Sequence, residues 1–313
     1  MSETDATPEQ PPQSQPEDTR SGFVALIGAP NAGKSTLLNQ LVGAKVSIVS
    51  HKVQTTRALI RGVAMKDNAQ IVFMDTPGIF QPKRRLDRAM VTAAWGGARD
   101  ADLVCFLVDA KKGIREDEER ILSELENVRQ PKWLILNKVD TIDPTALLEL
   151  TAKINERGNF NETFMVSALK GHGCGDLLTA LVDAMQPGPW FYPEDQISDL
   201  PMRSLAAEIT REKLYARLHQ ELPYASTVET ETWEERKDGS ARIEQVIYVE
   251  RDSQKKIVLG HKGETIKAIS TAARKEISEL AEQPVHLFLF VKVRKNWGDD
   301  PARYREMGLD FAG

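Results

Sequence analysis

The chain has 313 residues, about twice the length of a typical domain, so two domains are the first expectation. Hydrophobic residues make up 41% of the chain and charged residues 28%, which provides enough apolar material for a sizeable core. No apolar run approaches the roughly 18 residues of a membrane-spanning helix, so the composition predicts a soluble protein. The formal net charge of −5, taken alone, argues against a nucleic-acid partner.

The cysteines and the N-terminal residues bear on the cellular compartment. Cys105 lies within the apolar run LVCFLVDA and Cys174 lies far from it, so neither a disulfide framework nor a zinc ribbon is expected. The first residues, MSETD, lack the basic and apolar regions of a secretory signal. A reducing, cytoplasmic location is therefore predicted.

Residues 1–20 are rich in Pro, Gln, Glu, Ser and Thr and have almost nothing to bury, which predicts a disordered tail.

Residues 21–186 alternate between apolar runs and amphipathic stretches. The runs GFVALIG, QIVFMD, DLVCFLVD, KWLILN and TFMVS are short and bounded by turn residues, which is typical of buried parallel strands. Stretches such as REDEERILSELENV and PTALLELTAKINE carry helical periodicity. The pattern predicts an α/β domain with a mostly parallel sheet and helices on both faces.

Residues 187–201 and 202–313 predict a linker followed by a second domain. The linker is rich in proline and carries three adjacent aromatic residues, Trp190, Phe191 and Tyr192, which are expected to form a small hydrophobic cluster. After it come the helical stretch RSLAAEITREKLYARLHQ, a hairpin around KDGS, two more helical stretches and the strand VHLFLFVKV. The order helix, strand, strand, helix, helix, strand predicts an α+β domain with a C-terminal extension.

A phosphate-binding loop follows the first predicted strand. The sequence GAPNAGKS matches the pattern GxxxxGK[ST] and leads directly into a helix, so that backbone N–H groups and the positive helix end face one phosphate chain. Lys34 would supply charge to the β- and γ-phosphates, and the Ser35 hydroxyl would coordinate Mg²⁺. The predicted nucleotide-binding residues here are Gly28, Ala29, Pro30, Asn31, Ala32, Gly33, Lys34, Ser35 and Thr36.

A second phosphate-site element, DTPG, ends the strand QIVFMD. The carboxyl end of a strand is where an open α/β sheet builds its ligand site. Asp75 is predicted to hold Mg²⁺ through water and the Gly78 amide to sense the γ-phosphate, and Thr76, Pro77 and Ile79 complete the segment. In isolation, DTPG is equally consistent with an ordinary turn.

The base-reading element is predicted at NKVD, which closes the strand KWLILN. A carboxylate at Asp140 accepts hydrogen bonds from both N1–H and N2–H₂ of guanine, whereas adenine offers neither donor there, so GTP is favoured over ATP. Asn137 would orient the loop, Lys138 would lie against the purine with Val139 beside it, and the Ala168 amide, between Ser167 and Leu169, would donate to guanine O6. Taken alone, NKVD is also consistent with a polar turn and SALK with a helix N-cap.

Together these elements, in this order, resemble a Ras-like P-loop GTPase over about residues 22–185. The segment QTTR resembles the switch element of the TrmE-Era-EngA group, which implies that Thr56, or alternatively Thr55, binds Mg²⁺ when the γ-phosphate is present.

Ile79 stands where Ras has a glutamine that orients water, and an alkyl chain cannot do so. Related GTPases with an asparagine at the position of Asn31 use it to hold a monovalent cation, which implies slow hydrolysis stimulated by K⁺. The catalytic residues so assigned are Lys34, Asn31 and Thr56. Asn31 is also consistent with a loop asparagine kept for its backbone conformation.

The second domain contains a G-x-x-G loop between two helical stretches. Its residues are Gly260, His261, Lys262 and Gly263, and the glycines allow close passage of a nucleic-acid backbone. With the order of elements, the loop resembles a type II KH domain, which clamps about four single-stranded nucleotides. Lys255, Lys256 and Lys267 are predicted to join the loop in binding RNA.

A single GTPase domain followed by one KH domain resembles the Era family of bacterial GTPases, from about residue 22 to 309. The resemblance implies a switch that binds GTP and Mg²⁺, contacts the 3′ end of 16S rRNA and assists assembly of the 30S ribosomal subunit, as a monomer. It also implies peripheral association with the cytoplasmic face of the inner membrane. The alternative is a GTPase whose KH-like domain contacts protein or membrane partners in growth or cell-cycle control.

The charged residues are unevenly distributed along the chain, so the net charge does not describe the local charge of each region. The tail to Arg20 holds five acidic residues against one arginine, so most of the negative balance lies outside the predicted domains. Residues 255–275 hold six basic residues against Glu264. A basic patch of this kind suits phosphate contacts and predicts salt-dependent RNA binding.

Overall fold

The structure is a computed structural model that describes residues 18–311. Residues 1–17 of the predicted tail lie outside the described residues. The prediction is wrong at the end of the tail, because Arg20 begins the first strand and the Thr19 hydroxyl donates to the Gly188 carbonyl at 2.9 Å. Within the described range no helix is long and apolar enough to cross a bilayer.

The first domain is built on a sheet that is mostly parallel. Its strands are β1 (Arg20–Gly28), β2 (Ile60–Lys66), β3 (Ala69–Asp75), β4 (Leu103–Asp109), β5 (Lys132–Asn137), β6 (Glu162–Val166) and β7 (Gln186–Pro187). Their order in the sheet is β2-β3-β1-β4-β5-β6; β2 runs antiparallel to β3, and the short β7 pairs antiparallel with the start of β1. Every residue of β3 and β4 is buried, as expected for strands covered on both faces.

Helices cover both faces of this sheet. One apolar core lies between the sheet and the first and fifth helices, and the other lies between the sheet and the remaining three. The helices are α1 (Lys34–Val42), α2 (Arg85–Asp100), α3 (Glu116–Leu125), α4 (Pro144–Arg157) and α5 (Cys174–Ala184). The predicted α/β architecture is therefore confirmed, and the carboxyl ends of β1, β3, β5 and β6 meet at one edge.

Strand β2 is absent from the sequence prediction. Its sequence IRGVAMK does not alternate regularly: Ile60, Gly62, Val63 and Ala64 are buried, whereas Arg61, Met65 and Lys66 are only partly covered at this edge of the sheet. A Cβ at Gly62 would lie 2.7 Å from a methyl group of Leu38, so the strand passes close to α1. In a strand of this length, neither the close contact with α1 nor the antiparallel pairing produces a periodic pattern in the sequence that would have predicted the strand.

The linker after the first domain is ordered against it. The predicted boundary between residues 186 and 187 falls within β7, so the linker begins as part of the sheet. The indole of Trp190 donates to the Asn68 carbonyl, the side chain of Gln70 accepts from the Phe191 amide at 2.8 Å, and the Val63 amide donates to the Ile197 carbonyl. Of the three aromatic side chains predicted to cluster, Phe191 packs on Phe23 of β1, with 4.6 Å between the ring centres, and remains 52% exposed.

The second domain has the predicted order of elements. Its elements are α6 (Met202–Arg217), β8 (Ser226–Glu235), β9 (Ala241–Val249), α7 (Asp252–Leu259), α8 (Glu264–Leu280), β10 (Val285–Val293) and the C-terminal α9 (Pro301–Glu306). Its sheet has the order β10-β9-β8, in which β8 and β9 are antiparallel and β9 and β10 parallel. Helix α9 is not part of the sequence prediction, and its region carries Trp297, Tyr304 and Leu309 onto Leu86 and Met90 of α2 in the first domain.

Candidate functional site

The phosphate-binding loop connects the end of β1 to the start of α1. Its last residue before the helix, Gly33, has φ 101°, and an added Cβ would overlap the Nδ2 atom of Asn137. Glycine is therefore required there both for the left-handed backbone and for the contact with the base-reading loop. Ala29 and Ala32, which belong to the loop, are buried.

Lys34 is the cation of this loop. Its side chain is 6% exposed, and its ammonium donates to the carbonyls of Gly28 at 3.0 Å and Ala29 at 3.2 Å. Burial lowers the pKa of Lys34 to about 8, against the opposing effect of the Asp75 carboxylate. The ammonium is thus held at the mouth of the loop, where an anionic ligand would restore its pKa.

Three hydroxyl groups converge on the buried carboxylate of Asp75. Its Oδ2 atom accepts from the hydroxyls of Ser35 at 2.6 Å, Ser47 at 2.8 Å and Thr56 at 3.3 Å. The Ser35 and Thr56 hydroxyls are also 2.9 Å apart. The structure therefore brings together the three residues predicted to surround Mg²⁺ and adds Ser47, which the sequence prediction did not include.

These oxygen atoms fit a small hard cation. The Oδ1 atom of Asp75 is buried and has no hydrogen-bond partner among the described residues, and burial raises the pKa of Asp75 while the Ser35 hydroxyl lowers it. Within residues 18–311 no cluster of three His, Cys, Asp or Glu side chains could hold a metal, so Mg²⁺ here would depend on hydroxyls, one carboxylate and ligand oxygens. Mg²⁺ bound in this way would neutralise charge that develops on transferring phosphate oxygens.

The two candidate switch threonines have different environments. The Thr56 hydroxyl lies in the Asp75 cluster, whereas the Thr55 hydroxyl donates to the Lys52 carbonyl at 2.8 Å. The geometry therefore favours Thr56 over Thr55 as the cation ligand.

The DTPG segment packs directly on the phosphate loop. The Thr76 hydroxyl donates to the Leu26 carbonyl at 2.7 Å, and the Ile79 amide donates to the Gly28 carbonyl at 3.1 Å. An added Cβ at Gly78 would lie 3.0 Å from Pro30, so this glycine faces the loop without room for a side chain. Ile79 itself is buried in the core, which leaves it no part in orienting water.

Asn137 and Lys138 join the base-reading loop to the phosphate loop. The Asn137 amide donates to the Ala32 carbonyl at 2.9 Å. The Lys138 ammonium donates at 2.7 Å both to the Asn31 carbonyl and to the carboxylate of Asp109, which is buried at the end of β4. The Lys138 stem thus spans the two loops, and Asp109 is a further site residue that its position at a strand end could have indicated.

The remaining base-site residues surround Asp140. The Ser167 hydroxyl, and next the Lys170 ammonium, which lies 3.2 Å from the carboxylate, hold the pKa of Asp140 below its usual value and so favour its ionised form. The Ala168 amide, predicted to donate to guanine O6, donates in the structure to Oδ1 of Asn137 at 3.0 Å. The Ala168 amide is therefore already bonded to Asn137, and guanine O6 would have to share this donor with it. Leu169 is 82% exposed beside it.

The G-x-x-G loop of the second domain is a short 3₁₀ turn between α7 and α8. Gly260 has φ 74°, and an added Cβ would lie 2.7 Å from the Thr265 Cβ; Gly263 has φ 81°, and its Cβ position is open. His261 and Lys262 are exposed at the tip, as are Lys256 and Lys267 on the flanking helices, while Lys255 is half-buried. The structure thus keeps most of the predicted basic residues accessible around the loop.

Two family models match the chain. One, described as a 50S ribosome-binding GTPase, matches residues 23–138, and the other, described as a KH domain, matches residues 221–298. Among curated proteins, the GTPase Era of Sinorhizobium medicae is 74% identical over 293 residues, covering 94% of each chain. The GTPase Era of Brucella suis is 71% identical over 299 residues, covering 96% of each chain.

Two solved structures share the whole two-domain architecture. A variant of Era from Aquifex aeolicus with one residue substituted, bound to GDP·AlF₄⁻, has a TM-score of 0.88 at 36% identity and covers 93% of this chain and 99% of its own. Era in complex with MgGDPNP and nucleotides 1506–1542 of 16S ribosomal RNA has a TM-score of 0.89 at 38% identity, with the same coverage. The chain therefore belongs to the Era family: it is a GTPase, hydrolysing GTP to GDP and phosphate, with a C-terminal KH domain.

Proposed function

We propose that this GTPase is a switch that binds the 3′ end of 16S rRNA through its KH domain and assists assembly and maturation of the 30S ribosomal subunit in the cytoplasm. The observation that carries the proposal is the likeness, over both domains, to Era in complex with a 16S rRNA fragment. The accessible basic residues around the G-x-x-G loop supply the charge that such an interface requires.

The nucleotide site supports specific roles for its residues. In this proposal Ser35, Thr56 and Asp75 surround Mg²⁺, Lys34 contacts the β- and γ-phosphates, and Asp140 reads guanine. The relatives bound to MgGDPNP and GDP·AlF₄⁻ support Mg²⁺ and a guanine nucleotide as the ligands. The proposal assigns residues 21–186 to the GTPase domain and the chain from residue 202 onwards to the KH domain with its C-terminal extension. GTP favours the RNA-bound state and hydrolysis favours release, because RNA affinity differs between the two nucleotide states.

Binding to the small ribosomal subunit tests the proposal. With a non-hydrolysable GTP analogue, the full chain is expected to co-sediment with purified 30S subunits. An oligonucleotide with the 16S 3′-end sequence should displace it, whereas a scrambled oligonucleotide of equal length and charge should not. Failure to co-sediment, or equal displacement by both oligonucleotides, would contradict the assignment and favour a KH domain that contacts protein or membrane.

Monovalent-cation dependence is a separate prediction for the same site. Asn31 has φ 64°, and its side-chain amide donates to the His51 carbonyl at 3.0 Å, so it lies between the phosphate loop and the switch segment. We expect K⁺ held there to supply positive charge to the transition state. Replacing K⁺ by Na⁺, or Asn31 by Ala, should then lower the turnover of GTP on the order of 100-fold, the size of one lost electrostatic contact.

The control for this prediction is Asn127→Ala, which alters an exposed asparagine outside the site. Its turnover should keep the K⁺ dependence of the parent protein. If hydrolysis in Na⁺ and in the Asn31→Ala variant both match the parent rate in K⁺, then Asn31 serves only the backbone of the loop.

A further inference from the structure

The switch segment that carries Thr56 is held by hydrogen bonds from both domains, and the second domain supplies those nearest to Thr56 on the backbone. Residues 43–59 contain no helix or strand, although the structure describes all of them, so no ladder of backbone hydrogen bonds fixes their position. Instead the Val49 amide donates to the Glu212 carboxylate at 2.9 Å, and the Lys52 ammonium donates to carbonyls at the C-terminal end of α6. A helix C-terminus is a favourable site for a cation.

Arg57 makes the deepest of these contacts. Its side chain is 3% exposed, and its guanidinium donates to the Ser226 carbonyl at 2.9 Å and to the Tyr215 hydroxyl at 2.8 Å. The Pro223 carbonyl accepts a third bond at 3.3 Å, and the guanidinium carbon lies 5.5 Å from the centre of the Trp297 ring. All of these partners belong to the second domain. They match the planar guanidinium group of Arg57, and a lysine ammonium could not make the same set of contacts.

The residues on both sides of Thr56 are therefore fixed from the second domain. The Arg211 guanidinium donates to the Thr55 carbonyl at 2.5 Å, and Arg57 is anchored as described. Between them, the Thr56 hydroxyl points to the other side, into the cluster with Ser35 and Asp75. Adjacent Cα atoms are only about 3.8 Å apart, so a displaced Arg57 would move Thr56 with it.

We propose that Arg57 is a positioning residue of the GTPase reaction, which uses contacts in the KH domain to hold Thr56 in the magnesium site. The inference rests on the proposed role of Thr56 as an Mg²⁺ ligand in the triphosphate state. Because that role requires the γ-phosphate, loss of Arg57 affects the triphosphate state and not the diphosphate state. A purely architectural role for Arg57 would weaken both states alike.

The test uses the full chain without RNA, so that it does not depend on the proposed rRNA partner. Arg57→Ala is compared with Thr56→Ala, with the double variant, and with Tyr215→Phe, which removes one acceptor of Arg57 from the KH side. The matched control is Arg61→Ala, since Arg61 is a half-exposed arginine paired with Asp199 in the linker. Affinities for GDP and for a non-hydrolysable GTP analogue are measured across a titration of Mg²⁺, together with kcat and KM for GTP.

We expect Arg57→Ala to weaken binding of the GTP analogue in Mg²⁺ by about tenfold, to raise the Mg²⁺ concentration needed for hydrolysis and to lower kcat, with GDP affinity unchanged. Tyr215→Phe should shift the same quantities in the same direction by less, and the double variant should lose no more than Thr56→Ala alone. Arg61→Ala should behave as the parent protein. Equal losses for GDP and the GTP analogue, additive losses in the double variant, or an unaltered Thr56→Ala protein would each overturn the proposal.

Discussion

Replacing Asp140 with asparagine is expected to lower the affinity for GTP on the order of 10⁴-fold. The NH₂ group of asparagine would then face one of the two N–H donors of guanine, and neither group would have an acceptor. The carboxylate of Asp140 accepts from both N1–H and N2–H₂ of guanine, whereas the amide of asparagine offers one acceptor and one donor pair. Xanthine presents N1–H beside a carbonyl oxygen and matches that amide. The variant should therefore gain affinity for XTP while it loses GTP.

Competition against a fluorescent nucleotide measures both affinities in one assay. The control is Asp143→Asn, which makes the same chemical change three residues along the chain, where the side chain accepts from the Thr145 amide at the start of α4. Asparagine caps a helix about as well as aspartate does, so this variant should keep the GTP affinity of the parent. An Asp140→Asn protein that binds GTP as the parent does and gains nothing for XTP would remove Asp140 from base recognition.

The second large effect is expected at Gly263 in the G-x-x-G loop. The Cβ position there is open, so aspartate fits without a clash and places a negative charge where the nucleic-acid backbone is expected to pass. Like charges brought together at an interface cost several kcal/mol, which corresponds to a loss of RNA affinity of about 100-fold or more. Gly260 is the poorer choice for this test, because any Cβ there would overlap the Thr265 side chain and distort the loop.

Gly263→Ala is the matched control, since it imposes a left-handed backbone strain of about 1 kcal/mol, at least as large as that of aspartate, without the charge. Affinity for a 16S 3′-end oligonucleotide should fall strongly for Gly263→Asp and weakly for Gly263→Ala, and GTP affinity should stay constant in both. If the two variants bind RNA equally, the loop does not face phosphate groups and the KH-domain interface has been misassigned.

Residues that end parallel strands were the most predictable part of the site. Asp75, Asn137 and Ser167 follow or close apolar runs of strand length, and parallel strands bring their carboxyl ends to one edge of a sheet. Their sequence motifs therefore indicated where these residues lie in the fold as well as which groups they could bind. Asp109 ends β4 in the same way and could have been included by the same argument.

Contacts between distant segments were not predictable. Arg57 meets Tyr215 and Ser226 more than 150 positions away, and no periodicity or spacing in the sequence relates them. The same holds for Ser47, which lies in a segment without regular structure and reaches Asp75, 28 positions away, while the Asn39 side chain holds its backbone. Long-range polar contacts depend on the tertiary arrangement, which local patterns do not encode.

Measuring RNA affinity in three nucleotide states tests most directly whether the bound nucleotide controls RNA binding. The full chain is titrated with a labelled 16S 3′-end oligonucleotide in the presence of Mg²⁺ with a non-hydrolysable GTP analogue, with GDP, or with no nucleotide, at fixed salt. We predict the tightest binding with the GTP analogue, by at least about fivefold over GDP, and a steep loss of affinity as salt increases. Equal affinity in all three states would contradict a GTP-controlled RNA switch.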